Sequence, residues 1–339
     1  MPFLVLSRID TFKAIVLVLL FALFASFLST LPFFKHLALS PLVIGIILGM
    51  VYANTFRSKL PASWNEGILF CTKTLLRLGI ILYGFRITFG QIAEMGIQGV
   101  VSSILVVVLT LTLGYIVGVK GLGLDRQTSL LTAAGSAICG AAAVLAVEGI
   151  LKNEPHKSAV AVGTVVLFGT LAMFVYPLVY QLGWIPFDSV QEGLYIGASV
   201  HEVAQVVGAG SAIAPLVADG AIIVKMFRVM LLVPVLLILS ILFSSTASSG
   251  KKMVIPWFAI GFIVVAGFNS LHLLPQTLIL GINTLDTFLL TMAMSALGME
   301  TRFEKFKGIG GKAMVLALLL FVWLMIGGFW IVKGCSLYL

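Results

Sequence analysis

The sequence predicts an all-α protein that crosses a bilayer about eleven times, and three observations carry that class. Of its 339 residues, 60% are hydrophobic and only 10% charged. The apolar residues gather into eleven runs of near-membrane length, and an internal repeat divides ten of those runs into two halves. A soluble domain carries roughly 45–50% apolar and about 25% charged residues. One charged residue in ten cannot cover the surface of a compact water-soluble fold of this length, so the solvent around most of the chain is lipid.

A helix needs roughly 20 residues to span the hydrocarbon, and the runs fall at 14–31, 39–53, 64–86, 99–119, 127–150, 157–180, 191–210, 219–243, 254–271, 276–300 and 311–333. The first follows Arg8 and Lys13, but its core exceeds the 7–15 apolar residues of a signal peptide, so it reads as a retained span. The second, seventh and ninth are short or glycine-rich, and a count of ten follows if one of them does not cross. Trp64, Trp257 and Trp330 stand near span ends, where interfacial aromatics gather. Connections this short leave no room for a soluble domain.

The formal charge is +8, from 21 Lys and Arg against 13 Asp and Glu. In a membrane protein, basic residues concentrate on cytoplasmic loops. That accounts for the excess and argues against a nucleic-acid partner. With the N-terminus inside, the inner loops hold Arg8, Lys13, Arg57, Lys59, Lys120, Arg126, Lys251, Lys252, Arg302, Lys305, Lys307 and Lys312. The outer side holds Lys35, Arg86, Lys152, Lys157 and Lys333. Eleven spans then leave the C-terminus outside. Three cysteines, Cys71, Cys139 and Cys335, are an odd number and point to neither disulfides nor a metal cluster.

Thr128-Ser-Leu-Leu-Thr-Ala-Ala-Gly-Ser-Ala137 matches Thr287-Phe-Leu-Leu-Thr-Met-Ala-Met-Ser-Ala296 at seven of ten positions. At a similar offset, Lys73 and Arg77 in the third run correspond to Lys225 and Arg228 in the eighth. This divides the chain into an extra N-terminal span (1–38), one five-helix repeat (39–180) and a second (191–333). An odd number of spans per repeat makes the second inverted. Inverted repeats with a site at their interface characterise secondary transporters.

Four groups of residues carry candidate chemistry. The fifth run holds Gly135-Ser-Ala-Ile-Cys-Gly140, which packs a neighbouring helix closely or breaks its own. A break exposes backbone N–H groups at a half-helix N-terminus, where anions bind. Ser136, Cys139 and Gly140 are therefore candidate substrate ligands, and Ser295 with Gly298 is the corresponding candidate break in the tenth run. The seventh run holds His201, Glu202 and Gln205. A zinc-protease reading needs His at the position of Gln205, so the set fits a proton relay rather than a metal site, and Asp286 in the tenth run joins it. Lys73 and Arg77 lie one turn apart near the centre of the third run, too deep for Arg77 to snorkel, and serve as candidate anion ligands; Lys225, nearer a span end, reads as snorkelling and with Arg228 is a supporting charge. Four cations against Glu202, Asp286 and Glu148 leave the interior neutral or positive, which favours an anionic substrate.

At these residues the chain resembles the YeiH family of bacterial inner-membrane proteins, labelled sulfate exporters. The resemblance rests on Leu75-Leu-Arg-Leu-Gly-Ile-Ile-Leu-Tyr-Gly-Phe-Arg86, Ser136-Ala-Ile-Cys-Gly-Ala-Ala-Ala-Val-Leu-Ala146 and Val200-His-Glu-Val-Ala-Gln-Val-Val-Gly208. Lys225-Met-Phe-Arg-Val-Met230, Pro256-Trp-Phe-Ala-Ile260 and Leu285-Asp-Thr-Phe-Leu-Leu-Thr-Met-Ala-Met294 add to it. It implies an inner-membrane location and a likeness to cation–proton antiporters and bile-acid-type symporters, in which paired broken helices cross at the midplane. Carried over, spans five and ten would form the crossing, by analogy of fold alone.

The expectation is a secondary transporter that exports a small sulfate-like oxyanion by alternating access. It would have no cofactor and no enzymatic activity; its partners would be the lipid bilayer, a small anion and protons, with a homo-oligomer left open. The alternatives are a cation–proton antiporter using Glu202 and Asp286, and a non-transporting membrane sensor or scaffold.

Overall fold

The computed structural model describes residues 2–36, 40–56, 61–151, 155–243, 257–302 and 310–338, and every regular element among them is helical. Arg57, Lys59, Lys152, Lys251, Lys252, Lys305 and Lys307, counted above in the loops, lie outside the described residues. Among the described residues seven helices are long and apolar enough to cross a membrane: α1 (Pro2–Thr30), α3 (Asn65–Arg86), α4 (Phe89–Ile116), α7 (Pro155–Gln181), the α10–α11 run (Pro215–Met230, Leu232–Phe243), α13 (Gln276–Glu300) and α14 (Gly311–Tyr338). The shorter apolar helices α2 (Pro41–Thr55) and α12 (Trp257–Ser270) accompany them. The chain is a multi-pass, all-α membrane protein.

It folds as two compact units, residues 1–91 with 258–303 and residues 92–257 with 304–339. These boundaries cut across the two halves drawn from the sequence repeat, and the matched segments 128–137 and 287–296 fall in different units.

In the first unit the N-terminal span is part of the core. Ala14, Val18 and Ala22 of α1 are buried against Ile68 and Cys71 of α3 and Met292, Ala296 and Met299 of α13. The helices α2 and α13 meet through small residues. A β-carbon at Gly49 would stand 2.2 Å from the Ser295 carbonyl oxygen, and one at Gly298 would stand 2.3 Å from that of Ile46. The run 295–298 is thus a packing stripe, not a break. α13 continues unbroken to Glu300, and the Ser295 hydroxyl donates to Thr291 O of its own helix at 2.8 Å.

The second unit contains the larger departure from the sequence reading. The fifth apolar run is two antiparallel helices, α5 (Arg126–Ala137) and α6 (Ala141–Leu151), rather than a crossing. The Gln127 amide nitrogen donates to Leu151 O at 3.4 Å, so the two ends of the run are together. Lys157, the expected outer residue, donates to Gln127 at 2.9 Å and ion-pairs with Asp125 at 3.1 Å. It therefore lies at the same end as Arg126. Twelve and eleven residues give lengths of roughly 18 and 16 Å, about half of the ~30 Å hydrocarbon. Residues 126–151 form a re-entrant hairpin, hairpin 1.

The seventh run behaves likewise. α8 (Ser189–Ser199) and α9 (Val203–Ser211) both lie along the first half of α10: β-carbons at Gly193 and Gly210 would touch Val217 O and Ala218 Cα, at 3.1 and 2.6 Å. This hairpin 2 (189–211) has its base beside the start of α10. Hairpin 1 packs its α6 against α11, beyond the other end of α10. The two hairpins enter the unit from opposite ends and meet tip to tip beside Lys225 and Arg228. Of the eleven expected spans, nine remain candidate crossings among the described residues and two are re-entrant.

Candidate functional site at the hairpin tips

A helix that stops inside a membrane leaves unpaired carbonyl groups at its C-terminus and unpaired N–H groups at the next N-terminus. Water cannot satisfy them there, so protein must. The tips bring together four such ends: the C-termini of α5 and α8, and the N-termini of α6 and α9.

Two cations from α10 satisfy the C-termini. The Lys225 ammonium donates to the carbonyls of Ile138 at 2.7 Å, Val200 at 2.8 Å and His201 at 2.6 Å, using all three of its donors. Arg228 donates from Nε to Ala137 O (3.1 Å), from Nη1 to Gly197 O (3.2 Å) and Val200 O (2.9 Å), and from Nη2 to Ser136 O (3.1 Å) and Ala137 O. Both side chains are fully buried. Each cation bridges the two hairpins and stands where the helix dipoles concentrate negative potential.

One anion meets an N-terminus. The Glu202 carboxylate accepts from Ala141 N, the first residue of α6, at 3.0 Å, so hairpin 2 caps a half-helix of hairpin 1. Gly140 makes this contact possible twice over. Its φ of +75° suits a residue without a side chain, and a β-carbon there would stand 2.2 Å from Glu202 Cγ. Gln205 folds back to accept from Glu202 N at 3.0 Å, and it lies so close to α7 that a β-carbon at Gly169 would be 2.0 Å from its oxygen.

Several polar side chains on the hairpins keep buried hydrogen-bonding atoms without a partner among the described residues: the Ser136 hydroxyl, the Gln205 amide nitrogen and His201 Nδ1. Each residue is no more than 1% exposed. Buried polar atoms almost always have partners, and these three stand within four residues of the tips.

At the base of hairpin 1, Asp125 caps α5 by accepting from Thr128 N at 3.1 Å. Partial burial pushes its carboxyl up, but the bonds from Thr128 and the Lys157 ammonium outweigh that and hold it below the usual value.

Residues 13–317 match the family described as conserved hypothetical protein 698. The chain is 52% identical over 330 residues to a UPF0324 membrane protein of Bordetella pertussis, covering 96% of this chain and 95% of that one. It is 51% identical over 303 residues to the UPF0324 inner membrane protein YeiH of Escherichia coli K12, covering 88% and 87%. A UPF0324 membrane protein of Bacteroides thetaiotaomicron is 49% identical, covering 96% and 98%. The chain belongs to the UPF0324 (YeiH) family.

Of the residues expected from sequence, this UPF0324 chain gathers Ser136, Cys139, Gly140, His201, Glu202, Gln205, Lys225 and Arg228 at the tips. Lys225 and Arg228, expected to support, instead organise the centre. Four residues fall elsewhere. Lys73 and Arg77 lie in the first unit on an exposed face of α3. Ser295 packs in α13. Asp286 is fully buried in the first unit and bound by Arg86, from Nε and Nη2 at 3.0 Å each. Arg86 also donates to Asn283 O and Thr287 Oγ1 at 2.6 Å and sits over the Tyr83 ring. Reading Arg86 as a loop residue missed this pairing, because its partner lies 200 positions away. A second omission is Glu192. Asp188 and Gln191 form a helix-starting capping box, so Glu192 falls inside the apolar segment, and that signal was available in the sequence.

Proposed function

We propose that this protein is a secondary transporter of the bacterial inner membrane that moves a small oxyanion through the meeting point of the two hairpins. The observation that carries this is the charge arrangement there: two fully buried cations and one carboxylate close three of the four half-helix ends. A meeting of half-helices at mid-depth is the way transporter folds build ion sites. Two cations against one carboxylate favour an anion as the arriving charge.

The Glu202 carboxylate already occupies the place an oxyanion would take at the start of α6. Its hydrogen bond to Ala141 N is the interaction that one oxygen of sulfate would make. Transport then proceeds by exchange: an arriving oxyanion displaces the carboxylate, gains the N–H groups of α6 together with the unused Ser136 and Gln205 donors, and loosens one hairpin from the other. Because the hairpins enter from opposite ends, loosening either exposes the site to a different side. With the N-terminus cytoplasmic, hairpin 1 opens inward, and Lys157 joins the inner basic residues in line with the positive-inside rule.

Purified protein in liposomes should carry labelled sulfate or another small oxyanion. Glu202→Gln, which keeps the shape and weakens the internal competitor, should lower the half-saturating concentration on the order of tenfold, the scale of one charge-assisted hydrogen bond. No flux for any of sulfate, phosphate or nitrate beside a working control carrier would refute the proposal.

A further inference from the structure

Glu192 lies on the face of α8 that also carries Tyr195 and Ser199, three and seven positions on. It is fully buried, and neither carboxyl oxygen has a hydrogen-bond partner among the described residues. No ion pair reaches it among the described residues. The hydroxyl of Tyr176 on α7 is also buried and has no hydrogen-bond partner of good geometry among the described residues. The Tyr176 and Tyr195 rings lie 4.9 Å apart, and Tyr195 spends its proton on Met325 O of α14 at 2.7 Å.

On α8 itself, Asp188 is the exposed helix cap, four residues away. On α10, Asp219 adjoins Gly220, which packs on Gly193, and Arg228 reaches only to the carbonyl of Gly197 at 3.2 Å. On α14, the Lys333 ammonium lies over Phe329 and Trp330 at 5.6 and 5.3 Å. None neutralises Glu192. A buried carboxylate without hydrogen bonds or a counter-ion is very costly, and such a group avoids the cost by holding a proton.

We infer that Glu192 is the proton-binding group of hairpin 2, a neutral carboxylic acid at rest that releases its proton when α8 parts from α7. This is a different carboxyl from Glu202, which is held as an anion-like cap. The location suits the role. Glu192 is one helical turn, roughly 6 Å, from the exposed start of α8, so a small outward movement of that turn wets it. The same movement displaces the hairpin that supplies Glu202, which ties proton release to the oxyanion site. The proton site stands on its own geometry, while its coupling role rests on the transporter reading.

Infrared spectra of the purified protein at neutral pH should show the carbonyl-stretch band of a protonated carboxylic acid. Glu192→Gln should remove that band, Glu192→Asp should shift it, and Glu202→Gln should leave it in place. A band that survives Glu192→Gln, or that neither Glu192 variant alters, overturns the assignment. In liposomes with the membrane potential clamped, a pH gradient should drive about tenfold oxyanion accumulation per unit for one coupled proton. Glu192→Gln should reduce that to none while keeping downhill exchange. Gradient-driven accumulation undiminished in Glu192→Gln refutes the coupling role. Absent flux in every variant, with the infrared result intact, defeats the transport reading and leaves the proton site.

Discussion

In hairpin 1 the run 135–140 ends one helix and starts another, whereas in α13 the run 295–298 passes through a helix without interruption. Both runs combine serine, alanine and glycine inside apolar sequence, and both are buried. Their surroundings separate them. Around 135–140 stand Lys225 and Arg228, which accept the burden of the freed carbonyls. Around 295–298 stands α2, whose Gly45 and Gly49 offer only close backbone contact. A helix breaks inside a membrane where something else can satisfy its backbone, and otherwise its small residues serve packing.

This contrast breaks in the first place at Lys225. Lys225→Met orphans the carbonyl oxygens of Ile138 and His201, one at each tip, while Val200 O keeps Arg228, and should cost on the order of 3–5 kcal/mol, as losing one partner of a buried charged network does. Thermal unfolding in detergent would register it, and unchanged stability would show that the cations do not hold the breaks. Gly298→Val attacks the packing stripe by volume instead. Its β-carbon would meet Ile46 O at 2.3 Å, and overpacking of this kind costs about 1–3 kcal/mol. The loss should appear in the same melts with no change in oxyanion half-saturation; a changed half-saturation would argue that 295–298 belongs to the site.

The smallest effect is at the base of hairpin 1. Asp125→Ala removes the cap of α5 and should cost about 1 kcal/mol. Because the folded-state carboxyl is held below its ordinary value of 3.8, its contribution is full above that value and is lost as pH falls through the depressed one. Wild type and Asp125→Ala should therefore differ at neutral pH and converge in strong acid. A difference that persists there would assign the effect to packing.

Much of the site was legible residue by residue. Ser136, Cys139, Gly140, His201, Glu202, Gln205, Lys225 and Arg228 stand out as polar or glycine positions in apolar runs, and all eight belong to the tips. Glu192 was legible too, through the capping box that precedes it. The partners were not legible. Asp286 and Glu202 look equivalent as buried acids, yet one meets Arg86 from 200 positions away and the other caps a helix 61 positions back. Lys73 and Arg77 look like Lys225 and Arg228, yet the first pair faces outward and the second is fully buried.

The sequence by itself determined the solvent, the helical class, the position of every apolar segment and the rarity of the charges within them, because each follows from local composition and transfer free energy. Only the tertiary structure decided which segments cross and which turn back. A run of 24 or so apolar residues has the same hydropathy as one long helix or as two short antiparallel ones. The choice depends on whether carbonyls freed at residues 136–138 find the donors of Lys225 and Arg228, some 90 positions further along the chain.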